Sequence, residues 1–278
     1  MNIRRFLRAA FTGALFCVSA PVSAGDSGDL RTLMTGDDSR GWEAVGRLDI
    51  AGQAFCTGAL IGENIVLTAA HCMFDKKTGE AYDPSQVEFL AGWRNGRAAA
   101  YRGVRRAIVH PAYKINGSDQ ASRVSHDLAL LELDQPIRTS RVAPFETSLG
   151  AARGNAVGVV SYAHDRAESP SLQETCHVLA RQKGTLVMSC NVDYGSSGAP
   201  VFMYEGGEPR IVSVVSAKAT LRDQPVALGT SLDQQLLDLR AMLDASDGHF
   251  TSVTPTSARL PQVTRQGNAG KFQRPPGS

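Results

Sequence analysis

Three short motifs lie far apart in the chain, and they can cooperate only if the fold brings them together. That requirement constrains the architecture more than composition does. The last motif, Asp193 to Pro200, reads Asp-Tyr-Gly-Ser-Ser-Gly-Ala-Pro. Glycines on both sides of a serine pair permit a sharp turn that presents a hydroxyl and lets a ligand approach the backbone. Successive N–H groups in such a turn can point at one spot and hold an oxyanion. A serine hydroxyl is a weak nucleophile until a base takes its proton. The candidate base lies upstream in Leu67-Thr68-Ala69-Ala70-His71-Cys72, and the candidate orienting acid lies between them in Ser125-His126-Asp127-Leu128-Ala129-Leu130-Leu131. The chain order is therefore His71, Asp127, Ser197. Chain order differs among unrelated folds that carry such a constellation, so it is informative about the fold.

With these motifs and Cys56-Thr57-Gly58-Ala59-Leu60-Ile61, the chain resembles the chymotrypsin-like (trypsin-fold) serine endopeptidases from about Trp42 to Ala245. The Gly-Ser-Ser-Gly-Ala-Pro form is more similar to the bacterial branch, which includes glutamyl endopeptidase-like enzymes. The resemblance implies an all-β fold of two packed six-stranded antiparallel β-barrels with a C-terminal helix and the site between the barrels. It implies a secreted serine endopeptidase acting on protein or peptide substrates through an acyl-enzyme intermediate, without cofactor or metal. His71 is then the base, Asp127 its orienting acid and Ser197 the nucleophile, with the N–H groups of Gly195 and Ser197 as the oxyanion hole. The rival reading is a catalytically silent binding protein on the same fold, because fold alone does not establish activity.

The same resemblance points to a specificity pocket. Asn191, six residues before Ser197, falls at its base, where trypsin-like specificity has aspartate; Val192 follows. Ser216 matches the serine that lines the pocket and contacts the aspartate, and Lys218 falls near the wall. An ammonium there favours an acidic substrate side chain, although Val215 stands where glutamyl-specific relatives carry histidine. Ser196 replaces the aspartate that precedes the nucleophile in animal relatives, and no Ile-Val-Gly-Gly start is present. Activation by a freed N-terminal ammonium therefore does not fit this chain.

Cysteine and charge bound the compartment and the partners. Arg4, Arg5 and Arg8, the apolar run Ala9 to Ala20 and the small residues Val22-Ser23-Ala24 read as a secretory signal over 1–24. Export, to the periplasm or beyond, makes disulfides expected for Cys56, Cys72, Cys176 and Cys190. Three connectivities are possible. Nearness in sequence favours Cys56–Cys72 and Cys176–Cys190, each closing a short loop and worth on the order of 3 kcal/mol. The first is also the bridge that the resemblance implies beside the histidine. Ligands from Cys56, His71 and Cys72 match no usual zinc spacing. Removing the signal takes the formal charge from +2 to −1. Four basic residues and no acidic one follow Asp247, so the body carries about −5, which argues against a nucleic-acid partner.

Alternating and apolar runs predict strands at Ala44–Ile50, Phe55–Ile61, Asn64–Ala69, Val87–Ala91, Ala100–Val109 and Leu128–Leu133, then Ala156–Tyr162, Thr175–Ala180, Thr185–Asn191, Val201–Tyr204, Arg210–Ser216 and Val226–Gly229. Leu232, Leu236, Leu239 and Leu243 predict a helix over Ser231–Ala245, with Ser231 and Gln234 as a capping box. Segment 25–41 reads as a flexible lead-in or propeptide, 42–140 as the first barrel, 141–155 as a linker, 156–247 as the second barrel with its helix, and 248–278 as a disordered basic tail. No transmembrane segment is expected once the signal is removed.

Overall fold

A computed structural model describes residues 29–246. The expected signal segment and basic tail lie outside the described residues. Six strands close the first barrel: β2 (Val45–Ile50), β3 (Ala54–Gly62), β4 (Ile65–Thr68), β5 (Val87–Ala91), β6 (Ala100–Val109) and β7 (Ala129–Leu133). Their order is β2-β3-β4-β7-β6-β5, and β2 pairs with β5 to close the ring. Closure removes the exposed edges that make open sheets liable to unwanted pairing. Alternation marks some strands, whereas β7 is buried at every position. In β2, Val45, Leu48 and Ile50 are buried while Arg47 and Asp49 are partly exposed.

The second sheet is antiparallel and holds seven strands rather than the six expected. These are β1 (Leu30–Thr32), β8 (Ala156–Ala163), β9 (Arg166–Gln182), β10 (Thr185–Met188), β11 (Pro200–Glu205), β12 (Glu208–Leu221) and β13 (Gln224–Ser231). The order is β1-β9-β10-β13-β12-β11-β8, and β8 also pairs with β9, bringing the ends of six strands together. The extra member is β1. Leu30–Thr32 pairs with Ser171–Gln173, and the next residue, Leu33, is fully buried. This part of the segment read as a flexible lead-in is thus held by a ladder and an apolar anchor. Tight turns join the long strands. Lys183 and Gly184 take φ of +44° and +80°, the left-handed conformation that two-residue hairpin loops favour.

Two clusters of buried side chains result. One fills the second barrel around Val157, Leu186, Met188 and Val212. The other fills the first barrel and runs on through Tyr162, Phe202 and Ile211, so the barrels share an apolar interface. Phe145, on the strandless connector, packs its ring against Trp42 and Phe202 at 5.9 and 4.7 Å. The C-terminal helix, α2 (Asp233–Ser246), returns to the first barrel and buries Leu236 and Leu239 there, beside Leu232 just ahead of it. Its start differs from expectation. Ser231 ends β13 and its hydroxyl bonds Asp233, while Gln234 bonds Asp238, so no capping box forms.

Candidate active site

His71 leaves β4 on a short 3-10 turn, Ala70–Met73, that is packed by the fully buried Ala69 and Ala70. The next residue, Cys72, is bonded to Cys56 of β3, so the turn is tied to the neighbouring strand. The sulfurs are bonded to each other and are not free thiolates. The second bridge joins Cys176 of β9 to Cys190, just past β10. Both pairings are those that sequence proximity favours.

Asp127 lies between a short helix, α1 (Gln120–Ser125), and β7. The helix starts where Asp119 Oδ1 accepts the Ala121 N–H at 3.0 Å. Thr230 of β13 holds the turn from the other barrel: its hydroxyl donates to Val124 O at 2.7 Å and to Asp127 O at 3.2 Å. The Asp127 carboxylate is only 4% exposed and is fully occupied. Oδ1 accepts the His71 backbone N–H at 2.8 Å, and Oδ2 accepts from His71 Nδ1 at 2.6 Å and from Ser216 Oγ at 2.5 Å. Such bonds fix the imidazole with its proton on Nδ1 and leave Nε2 facing outward as an acceptor.

Ser197 sits on the loop between β10 and β11. Thr57 of β3 clamps that loop from the opposite barrel. Its N–H donates to Ser197 O at 2.8 Å and its hydroxyl donates to Gly195 O at 2.9 Å. Thr68 donates to Thr57 O at 2.9 Å beneath it. Both threonines lie within the quoted motifs, yet only the folded contacts show this work. Ser196 is fully buried, accepts the Asp193 N–H at 3.3 Å and faces Ser161 Oγ at 3.2 Å. A neutral hydroxyl network thus holds the residue before Ser197. Within the loop, Ser196 N–H donates to Asp193 O, and Gly198 N–H donates out of it to Val215 O of β12. Among the described residues, the N–H groups of Gly195 and Ser197 meet no protein acceptor. Gly195 takes φ of +95°, which turns the chain at the first of them.

His71, Asp127 and Ser197 line one cleft of about 600 Å³. Among the described residues, no hydrogen bond joins Ser197 Oγ to His71. Such contacts are commonly loose without substrate and tighten in the complex. Val192, Ser216 and Lys218, expected at the specificity pocket, also line the cleft, with Val215 and Ala217. Asn191 does not. It is exposed, and its N–H donates to Gln173 Oε1 at 2.7 Å. Lys218 is half exposed and stands 3.8 Å from Asp193 Oδ1. Sequence reasoning missed Tyr194, which is 78% exposed on the cleft rim.

His110 and His126 stack at 5.0 Å and take structural partners. His110 is buried and its Nδ1 accepts the Ala112 N–H, while His126 Nδ1 donates to Ser122 O. Burial, and then the neighbouring His126, push the His110 pKa below its usual value.

A two-barrel β fold with histidine, aspartate and serine converging on one interbarrel cleft defines the chymotrypsin-like architecture. Residues 35–226 match the family described as Trypsin, and the chain belongs to that family. The glutamyl endopeptidase of Bacillus licheniformis is 25% identical over 175 residues, covering 63% of this chain and 53% of that protein. Human mannan-binding lectin serine protease 1 is 28% identical over 123 residues, 40% of this chain and 17% of that protein. The chain thus spans about half or less of the length of these relatives. A solved structure described as Glu endopeptidase in complex with MPD superposes with a TM-score of 0.65 at 17% identity, covering 80% of this chain and 98% of that one. That likeness concerns the fold.

Proposed function

We propose that the protein is an exported serine endopeptidase working through His71, Asp127 and Ser197. One observation carries this reading: the His71–Asp127 pair and Ser197 share a cleft in which the N–H groups of Gly195 and Ser197 are left without protein acceptors. His71 Nε2 takes the Ser197 proton as Oγ attacks the scissile carbonyl, and the two N–H groups hold the oxyanion. The imidazolium then gives its proton to the leaving amine, and the peptide C–N bond breaks. Water, deprotonated by His71, attacks the acyl ester and releases the second product with Ser197 restored. Asp127 stabilises the imidazolium throughout, and Ser216 keeps the carboxylate aimed.

Two disulfides support an oxidising compartment. Among the described residues no helix is long and apolar enough to cross a membrane. The signal-like segment 1–24 adds to the reading of export.

The test is hydrolysis of denatured protein and quenched peptides beside Asp127→Asn. Asparagine keeps the shape but favours the wrong imidazole tautomer, so kcat is expected to fall about 10⁴-fold. Unchanged turnover in that variant overturns the mechanism. The scissile residue is proposed to enter between Val192 and Val215 and to meet the Lys218 ammonium at the rim, giving an acidic preference. Peptides with Glu, Arg or Leu before the cleaved bond check this; equal or better cleavage after Leu contradicts it.

A further inference from the structure

The body of the chain is net acidic, about −5 over residues 25–247, yet three cationic side chains open onto the cleft. Lys76, Arg123 and Lys218 all line it. Two carboxylates do so as well. Asp127 is buried and occupied by His71 and Ser216, and Asp193 is paired with Lys218 at 3.8 Å. Lys218 stands on β12 of the second barrel. The other two stand on the first: Lys76 follows the turn that carries His71, and Arg123 lies on α1, four residues before Asp127.

Both first-barrel cations are exposed, and among the described residues neither has an ion-pair partner. Carboxylates nearby are used elsewhere. Asp75 accepts the N–H groups of Lys77 and Thr78 and the Tyr82 hydroxyl. Asp119 caps α1 through the Ala121 N–H. Hydrogen bonds to Thr78 and Lys77 hold the Asp75 carboxyl below its usual pKa, so it stays charged but already solvated by the loop. Lys76 and Arg123 therefore present uncommitted positive charge across the cleft from Lys218. A cleft with low-dielectric walls concentrates such a field at its mouth.

We infer that Arg123 and Lys76 are specificity-determining residues that select peptide segments carrying carboxylates at positions flanking the scissile residue, not only at it. This inference rests on the peptidase reading. Guanidinium and ammonium groups at separate points along the cleft match an extended chain with several acidic side chains better than a single one.

The test uses two quenched peptides of equal length with the same residue before the cleaved bond. One carries Asp and Glu at the flanking positions, the other Ser and Gln. For the wild type, kcat/KM is expected to be about tenfold higher for the acidic peptide at low salt, with the ratio falling as ionic strength rises. Arg123→Gln and Lys76→Gln each lower that ratio about threefold to fivefold, whereas Arg123→Lys keeps most of it. A wild-type ratio near one at every salt concentration overturns the inference. So does a ratio that both glutamine variants leave intact. Fluorophosphonate labelling of the same preparations separates the two claims. Labelled Ser197 with a ratio of one removes only the charge selection; an unlabelled, folded protein removes the peptidase reading and this inference with it.

Discussion

Alanine in place of Ser197 is expected to lower kcat by about 10⁶-fold, and alanine in place of His71 by a similar factor. The geometry gives the reason. His71 Nδ1 is bonded to Asp127 at 2.6 Å, so its only useful proton acceptor is Nε2, and Ser197 is the hydroxyl offered to it in the cleft. Removing either partner leaves the other without a step to perform. The double variant is therefore expected to be no worse than either single one, since the residues act as a unit. Substrate affinity should change little, because neither side chain is asked to bind the substrate in its ground state. Residual turnover above the uncatalysed rate would come from the Gly195 and Ser197 N–H groups and from positioning. Single-turnover kinetics of the four proteins measures all of this. Losses that multiply in the double variant would mean that Ser197 and His71 act independently.

Gly198→Ala should be the most damaging small substitution near the site. Gly198 takes φ of +79°, a conformation that strains any side chain. Its new Cβ would fall inside the van der Waals envelopes of Thr68 Oγ1 and Thr57 O and 3.1 Å from Ala69 N. Those atoms belong to the clamp that joins the serine loop to the first barrel, and Thr57 O is already an acceptor there. Backbone strain and overpacking together predict a loss of about 3–5 kcal/mol. The Gly198 N–H bond to Val215 O would be disturbed at the same time, loosening the pocket wall. Urea unfolding measures the stability loss, and activity should fall with it. A variant as stable as the wild type would contradict the described packing. Gly206→Ala is the matching control: its φ is +62° but nothing lies within 4 Å, so it carries the conformational cost without the clash.

Much of the first barrel was legible because its strands alternate. Val87–Ala91 and Ala100–Val109 form at the expected bounds, since apolar residues there face the barrel interior. The N-terminal half of β9 was not legible. It reads Arg-Ala-Glu-Ser-Pro-Ser-Leu-Gln, with proline in the middle, and its buried residues include Ser169, Ser171 and Gln173. Hydrophobic periodicity cannot see a strand in which buried Ser169, Ser171 and Gln173 alternate with buried Pro170 and Leu172. Proline is tolerated because the β8–β9 register shifts between Ser161 and Ala163, beside Pro170. β1 was missed for a related reason. Three residues with no apolar alternation become a strand only because β9 offers a partner.

The three candidate site residues were readable from local motifs because glycine, cysteine and apolar neighbours fix their turns. The supporting groups were not. Thr57, Thr230 and Ser196 act through contacts that cross between barrels or depend on burial. Asn191 is a different case. Counting back from Ser197 places it at the pocket base, but it is exposed and is not among the residues that line the cleft. Linear spacing carries a residue's place in a loop, not the direction that the loop faces.

The measurement that bears most directly on the account is covalent labelling of the purified, folded protein with a fluorophosphonate, followed by mapping of the modified residue. One label is expected, on Ser197, lost in both Ser197→Ala and His71→Ala. Labelling that survives in Ser197→Ala, or a folded wild type that takes no label, would contradict it and favour a binding protein built on the same two barrels.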